Sequence, residues 1–237
     1  MSVLCLRNAN PTEGKTMNRR NFVNLTFVSL SGLYLAPDVI GQQKTIEPDL
    51  TALADGKVFS VYNCCLSGFK DGAKNGVRLS DDGVAYLTGV EFSNGAIEVE
   101  IRGKDVEQQS FMGVVFHGVD GKTYDAIYFR PFNFKTEDAA RRMGAVQYVA
   151  YPTYTSQKLR AEHPGKYEQP VDPAPDPNDW FHARVVVESP KVSVFINDAN
   201  QPCLVVTQLS DRKKGLVGLW GGGAVGGDFA NIKIAPA

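Results

Sequence analysis

Phe92-Ser93-Asn94-Gly95-Ala96-Ile97-Glu98-Val99-Glu100-Ile101-Arg102 is a turn signal followed by strict apolar/polar alternation, and its reading decides the fold. Successive side chains of a strand point to opposite faces, so Ile97, Val99 and Ile101 share one side while Glu98, Glu100 and Arg102 share the other. The aliphatic side belongs to a core. The charged side is either a solvent-facing sheet surface or the floor of a cleft for a polar ligand, and the neighbouring strands have to choose between them.

The same alternation recurs on both sides of this stretch. Val84 to Thr88, Phe111 to His117, Tyr124 to Arg130, Ala145 to Tyr151, Phe181 to Glu188, Val192 to Asn197, Leu204 to Gln208, Leu216 to Trp220 and Phe229 to Ile234 join Ala96 to Arg102 to make ten strand-like runs. Turn pairs such as Asn94-Gly95, Asp120-Gly121 and Asn197-Asp198 separate them, as tight antiparallel connections require. Helical periodicity is confined to Thr136–Arg142 and Ser156–His163, short turns within loops. The fold class that follows is all-β and antiparallel, a sandwich or barrel. Between Thr45 and Gly83 the signals mix, with short apolar pieces such as Val58-Phe59-Ser60-Val61-Tyr62 reading as short strands and loops. The longest irregular segment, Tyr151 to Asp179, holds six of the thirteen prolines together with Tyr151, Tyr154 and Tyr167. A loop of that length on a compact domain is commonly functional, and its aromatics predict an ordered flap packed on the sandwich.

At 237 residues and 43% hydrophobic the chain can bury a full core as one domain, with no internal repeat. A formal net charge of −1 gives no electrostatic case for nucleic acid, and Arg212-Lys213-Lys214 beside Asp211 reads as a solvated turn. Asn18-Arg19-Arg20-Asn21-Phe22 ahead of a mildly apolar run resembles a twin-arginine export signal. That reading divides the chain into an upstream extension (1–16), an export signal (17–41) and a single β-sandwich domain (42–237), with no run approaching the ~20 residues of a membrane span. Cys5 then falls in the extension, leaving Cys64, Cys65 and Cys203. Neighbours Cys64 and Cys65 point to opposite faces, so at most one would meet Cys203, and buried inert thiols are the expectation. His117, His163 and His182 are far apart, and no Cys/His spacing resembles a zinc site.

Phe92 to Ile101, Gly113-Val114-Val115-Phe116-His117, Asp125 to Pro131, Asp179-Trp180-Phe181-His182-Ala183-Arg184, Gly215 to Trp220 and Asp228 to Ile234 together resemble the concanavalin A-like lectin/glucanase superfamily. Within it the chain is most similar to laminin-G-like modules and the 3-keto-disaccharide hydrolase group, over roughly residues 50 to 235. The resemblance implies a jelly-roll β-sandwich whose concave sheet meets carbohydrate, and it fixes fold more firmly than chemistry, since the superfamily holds enzymes and binding modules alike. With the leader, it implies an exported protein in the periplasm or outside a bacterial cell.

Strand parity supplies candidate residues for such a cleft. With Met112, Val114 and Phe116 facing a core, His117 lies on the opposite face; with Ile127 and Phe129 inward, Tyr124, Tyr128 and Arg130 come out; with Val146 and Tyr148 inward, Gln147 and Tyr151 come out. Aromatic rings suit the apolar faces of pyranoses, and carboxylates, Gln and Arg suit their hydroxyls. Arg102, Tyr124, Tyr128, Arg130, Gln147, Tyr151 and Trp220 are therefore the candidate substrate contacts, and Glu98, Glu100 and His117 the candidate catalytic groups. Trp180 reads as an anchor of the flap on the core, whereas Trp220, before Gly221-Gly222-Gly223, either reaches the cleft or closes the sandwich edge.

Laminarinase-type members carry E-x-D-x-E on one strand, but here the series is Glu98-x-Glu100-x-Arg102, which lacks the third acid. Glu98 and Glu100 lie about 6.5–7 Å apart at Cα, within reach of two-carboxylate glycoside hydrolysis. The 3-keto group offers another route, abstraction of an acidified C–H by one base, with Arg130, Arg102 or a metal steadying the enolate. The rival class is a non-catalytic carbohydrate-binding or adhesion module, with a divalent metal such as Ca²⁺ held by loop oxygens near Asp228 and Asn231. A third reading is an exported structural domain whose polar face meets another protein.

Overall fold

The computed structural model describes residues 3–6, 44–55 and 57–237, so the predicted export signal lies outside the described residues. Two antiparallel sheets make a sandwich. The first runs, in spatial order, β1 (Val3–Leu6), β3 (Cys64–Asp71), β4 (Lys74–Ser80), β15 (Gly227–Pro236), β6 (Gly95–Arg102), β11 (Trp180–Glu188), β12 (Lys191–Ile196) and β13 (Leu204–Thr207). The second runs β10 (Glu168–Gln169), β9 (Val146–Tyr151), β8 (Tyr124–Phe129), β7 (Phe111–Gly118), β14 (Gly215–Gly222), β5 (Gly83–Phe92) and β2 (Phe59–Tyr62). The ten predicted strands all form, and β2, β3 and β4 resolve the mixed region before them.

The alternation in each strand builds the core. Ile97, Val99 and Ile101 of β6 are buried, as are Phe181, Ala183, Val185 and Val187 of β11 and Met112, Val114 and Phe116 of β7. The two inner faces interlock where the rings of Phe129 (β8) and Phe181 (β11) meet edge to face at 5.2 Å, and Phe134 closes on the same Phe181 ring at 5.3 Å. Sheet membership is what the sequence does not carry. After β6 the chain crosses between sheets through residues 103–110, so β6 lies between β15 and β11 while β7, next in sequence, lies in the opposite sheet.

The proline-rich flap is ordered, as predicted. Helix α2 (Ser156–Glu162) starts at Thr155, whose Oγ1 accepts from the Lys158 N–H. Buried Leu159, Tyr167 and Val171 fasten the flap to the sandwich, and β10 pairs Glu168 with Gln147 and Gln169 with Val146. Helix α1 (Ala139–Arg142) begins at Asp138, whose carboxylate caps the N–H groups of Ala140 and Arg141.

Cys64 and Cys203 are free thiols, and burial pushes each up to about 12. They are inert at neutral pH. Cys65 is disulfide-bonded and sits in register with Cys5 of β1, so the expectation of buried inert thiols fits Cys64 and Cys203 and is corrected for Cys65. β1 falls inside the stretch read from sequence as an upstream extension.

Candidate functional site

One cross-strand row of the seven-stranded sheet defines the site. Register places Glu168 beside Gln147, Gln147 beside Tyr128, Tyr128 beside Gly113 and Gly113 beside Trp220. Directly paired residues project to the same face. Gly113 is the gap in the row: a Cβ there would come within 2.0 Å of the Ile127 carbonyl oxygen. Across it the rings of Tyr128 and Trp220 approach to 4.8 Å. The Trp220 indole N–H donates to the Tyr124 hydroxyl at 3.0 Å, and the Tyr124 and Tyr151 rings meet at 5.2 Å. These rings line a cleft of about 990 Å³, which the turns Gly221–Gly223 and Gly121-Lys122 border at one end and α1, α2 and β10 at the other. That is room for a sugar-sized ligand.

At the flap end a guanidinium is fixed. Arg130 donates to the Gly144 carbonyl at 2.6 Å, to the Tyr128 hydroxyl at 2.5 Å and to the Gln147 amide oxygen. Its plane lies 4.8 Å from the Tyr128 ring centroid. Burial disfavours its charge, yet a guanidinium keeps its proton in a protein. The Tyr128 hydroxyl also donates to Gln147 Oε1 at 2.8 Å, and burial raises the phenol above its ordinary value. Gln147 is fully buried beneath these two side chains and not among the cleft-lining residues. It therefore positions Arg130 and Tyr128, where the sequence reading made it a direct contact.

Glu168 is the group the sequence reading missed. It lines the flap end of the cleft, is 8% exposed, and its Oε2 has no hydrogen-bond partner. Burial raises its carboxyl, and the charges of Arg130 and Arg160 partly offset this. The only signals for it were the length of the flap and the brief polar alternation Tyr167-Glu168-Gln169.

Several predicted site residues lie elsewhere. Glu98, Glu100 and Arg102 project from the outer face of the eight-stranded sheet, across the core from the cleft, because β6 belongs to that sheet. Each is already satisfied there. Glu100 pairs with Lys74 and accepts from Asn231 at 2.7 Å, Glu98 lies 3.5 Å from His182 and 4.0 Å from Lys233, and Arg102 bridges Asp71 (2.7 Å) and Asp228 (2.9 Å). Of the two readings of the charged face, the structure shows a network of paired charges. Trp180 joins it rather than the core, stacked on Phe69 at 6.2 Å with Arg102 4.6 Å from its ring.

His117 leaves the cleft through a bulge. Its φ of 49° breaks the alternation where β7 and β14 shift register, and it is fully buried. Gln208 donates to its Nδ1 at 2.9 Å, so its Nε2–H donates to the Ser93 carbonyl at 2.6 Å. Desolvation lowers its pKa and keeps it neutral. The suggested calcium position also fails on chemistry, since both Asp228 oxygens are held by Arg78 and Arg102 and Asn231 turns its amide to Glu100. Among the described residues no group of three or more His, Cys, Asp or Glu is placed to hold a metal, and no helix is long and apolar enough to cross a membrane.

This placement carries a direct test. The double substitution Glu98→Gln/Glu100→Gln is expected to leave cleft occupancy unchanged and stability within about 1 kcal/mol, the usual worth of half-exposed ion pairs. Ligand titration and urea unfolding read both, and a tenfold loss of affinity would return these carboxylates to the site.

A jelly-roll sandwich with an aromatic cleft on one sheet is a concanavalin A-like domain. A family model described as a 3-keto-alpha-glucoside-1,2-lyase-like domain matches residues 49–235, and the chain belongs to that family. Among solved structures it is similar to the carbohydrate binding module CBM66 from Bacillus subtilis, with 16% identity, a TM-score of 0.48, and coverage of 75% of this chain and 96% of that one. It is also similar to a Bacillus subtilis protein of unknown function with a galectin-like fold, with 14% identity, a TM-score of 0.49, and coverage of 80% and 93% respectively. No curated protein matches the chain in sequence.

Proposed function

We propose that this is an exported carbohydrate-active enzyme that binds glycosides in the cleft of the seven-stranded sheet and cleaves 3-keto-glycosides by elimination across C1 and C2. The observation that carries it is the fixed Arg130 guanidinium beside the unpartnered Glu168 carboxylate, at the end of a trough of stacked aromatic rings. Family membership supports the substrate class. The Tyr128–Trp220 pair offers a face for the apolar side of a pyranose. Glu168 takes the C2 proton, which the neighbouring C3 ketone acidifies; the electron pair moves onto the ketone oxygen, where Arg130 meets the developing negative charge. Collapse of the enolate re-forms the carbonyl, makes the C1–C2 double bond and expels the C1 oxygen, which leaves with a proton from solvent. Ordinary two-carboxylate hydrolysis fits less well. The cleft's other carboxylate, Asp82, lies at the far end, on the order of 20 Å away at five strand spacings, whereas that mechanism needs roughly 5–9.5 Å.

Glu168→Gln is expected to lower turnover of a 3-keto-glucoside by about 10²–10⁴-fold while ligand affinity stays within a few-fold. Because burial raises the Glu168 pKa, the rate should climb with pH through a step above the ordinary carboxylate range, as the base loses its proton. Turnover surviving in Glu168→Gln would remove Glu168 from this role. A second reading is a carbohydrate-binding module without turnover, favoured by the single carboxylate at the Arg130 end. It predicts binding of glycosides with no product from any 3-keto substrate. Export is tested by the N-terminus of the secreted chain, expected near Gln42, a cleavage that removes the edge strand β1; a secreted chain that keeps Val3–Leu6 would overturn the leader reading.

A further inference from the structure

We infer that the cleft selects acidic glycosides, sugars bearing a carboxylate or sulfate group, with Arg160 and Arg130 holding the anion beside the aromatic trough. The inference rests on the glycoside reading above and adds a substrate class to it. Four cations, Lys122, Arg130, Arg141 and Arg160, line the cleft against two carboxylates, Asp82 and Glu168, and one of the four, Arg141, is paired with Glu107 at 3.2 Å. The whole chain carries a formal charge of −1, so this excess is local. It is also uncompensated where it matters. Arg130 is 4% exposed, and every partner of its guanidinium is neutral: a carbonyl, a hydroxyl and an amide oxygen. The Arg160 side chain is exposed on α2 and makes no ion pair or hydrogen bond among the described residues, although its charge is felt at both Arg130 and Glu168.

A buried cation such as Arg130 with no carboxylate in direct contact is costly, and proteins rarely keep one idle. The enolate of the proposed elimination gives Arg130 its partner, but only transiently and for one cation. Arg160 is left over. On the outer face of the other sheet Arg78 and Arg102 are both paired to Asp228 and Arg184 lies over the Phe195 ring, whereas Arg160 has no such partner. Two further buried atoms at this end await partners, Asn133 Oδ1 and Arg141 Nε, and both residues line the cleft. Together they describe a place for an oxygen anion with hydroxyl groups around it.

Calorimetric titration of the full chain with methyl glucuronide, glucose 6-sulfate, neutral methyl glucoside and sodium sulfate tests this. At low salt at least one acidic sugar is expected to bind about tenfold more tightly than the neutral glucoside, with the two acidic arms telling carboxylate from sulfate. That ratio should collapse toward one in about 1 M sodium chloride, where the screening length is about 3 Å, and in Arg160→Gln. Equal binding of acidic and neutral sugars would overturn the inference and leave the glycoside reading standing. No binding by any sugar would overturn both. Sodium sulfate binding as tightly as the acidic sugars would also overturn it, because the cations would then form a bare anion site.

Discussion

Arg130→Met is expected to cost the cleft about 100-fold or more in glycoside affinity while the fold survives. Removing the charged partner of a desolvated polar contact typically costs about 2–5 kcal/mol of binding. Arg130 is that partner, and its fork also sets the Tyr128 hydroxyl beside the ring-binding surface. The effect on folding is smaller because two terms oppose each other. Met leaves the Gly144 carbonyl with only the long 3.4 Å contact from Asn133, a penalty of about 1–3 kcal/mol, but it also removes a buried charge. Gln147 keeps its bond from Tyr128. Arg130→Lys should fall between, because an ammonium restores the charge but not the planar fork that reaches three acceptors. Titration calorimetry and urea unfolding separate the two effects. Affinity within threefold of the parent in Arg130→Met would sink both the elimination chemistry and the acidic-ligand inference.

Why Arg130 was legible in the sequence and the Glu98–Arg102 face misleading is a matter of sheet membership. Period-two alternation fixes which side chains share a face, and it placed Tyr124, Tyr128 and Arg130 together correctly, because the register of β8 with β7 and β9 is local. Alternation is silent on which sheet a strand enters. Sequential strands are neighbours roughly two-thirds of the time, and β6 to β7 is an exception that moves Glu98, Glu100 and Arg102 to the far side of the core. His117 was lost differently, since one residue in the left-handed region shifts the parity by one and no residue type announced it. Glu168 sits on a two-residue strand inside a proline-rich flap, too short for any periodicity to show. The same residue types therefore occur on both outer faces. What separates cover from site is satisfaction: around β6 the charges close on one another, whereas at β8–β10 a guanidinium has only neutral hydrogen-bond partners and a carboxylate oxygen and an amide nitrogen have none.

Asp125→Ala is expected to destabilise the domain by about 3–5 kcal/mol, more than any substitution in the cleft. Asp125 is fully buried on the inward face of β8, and three groups depend on its carboxylate: the Arg212 guanidinium at 2.8 Å, the Ser210 hydroxyl at 2.7 Å and the Tyr148 hydroxyl. Tyr148 in turn accepts from the Leu209 N–H at 3.0 Å, and Gln208 ties the Arg212 carbonyl to His117. The segment 208–212 that covers this end of the sandwich is thus pinned through one carboxylate. Its removal takes the acceptor from a partly buried cation, a partly buried hydroxyl and the buried Tyr148 hydroxyl, and the bonds of the network fail together rather than one at a time. For a chain of this size the shift in thermal midpoint should be of order 10 °C. Asp125→Asn tests the cause, because the amide keeps the shape and an acceptor oxygen but loses the charge that holds Arg212. It should recover part of the loss if hydrogen bonding matters and little of it if the ion pair dominates. Glycoside affinity at a temperature where the variant is folded should stay near the parent value, since Asp125 faces away from the Tyr128–Trp220 trough. A loss under 1 kcal/mol in urea unfolding would mean that segment 208–212 is held by its other contacts, and that the carboxylate is a passenger in its own network.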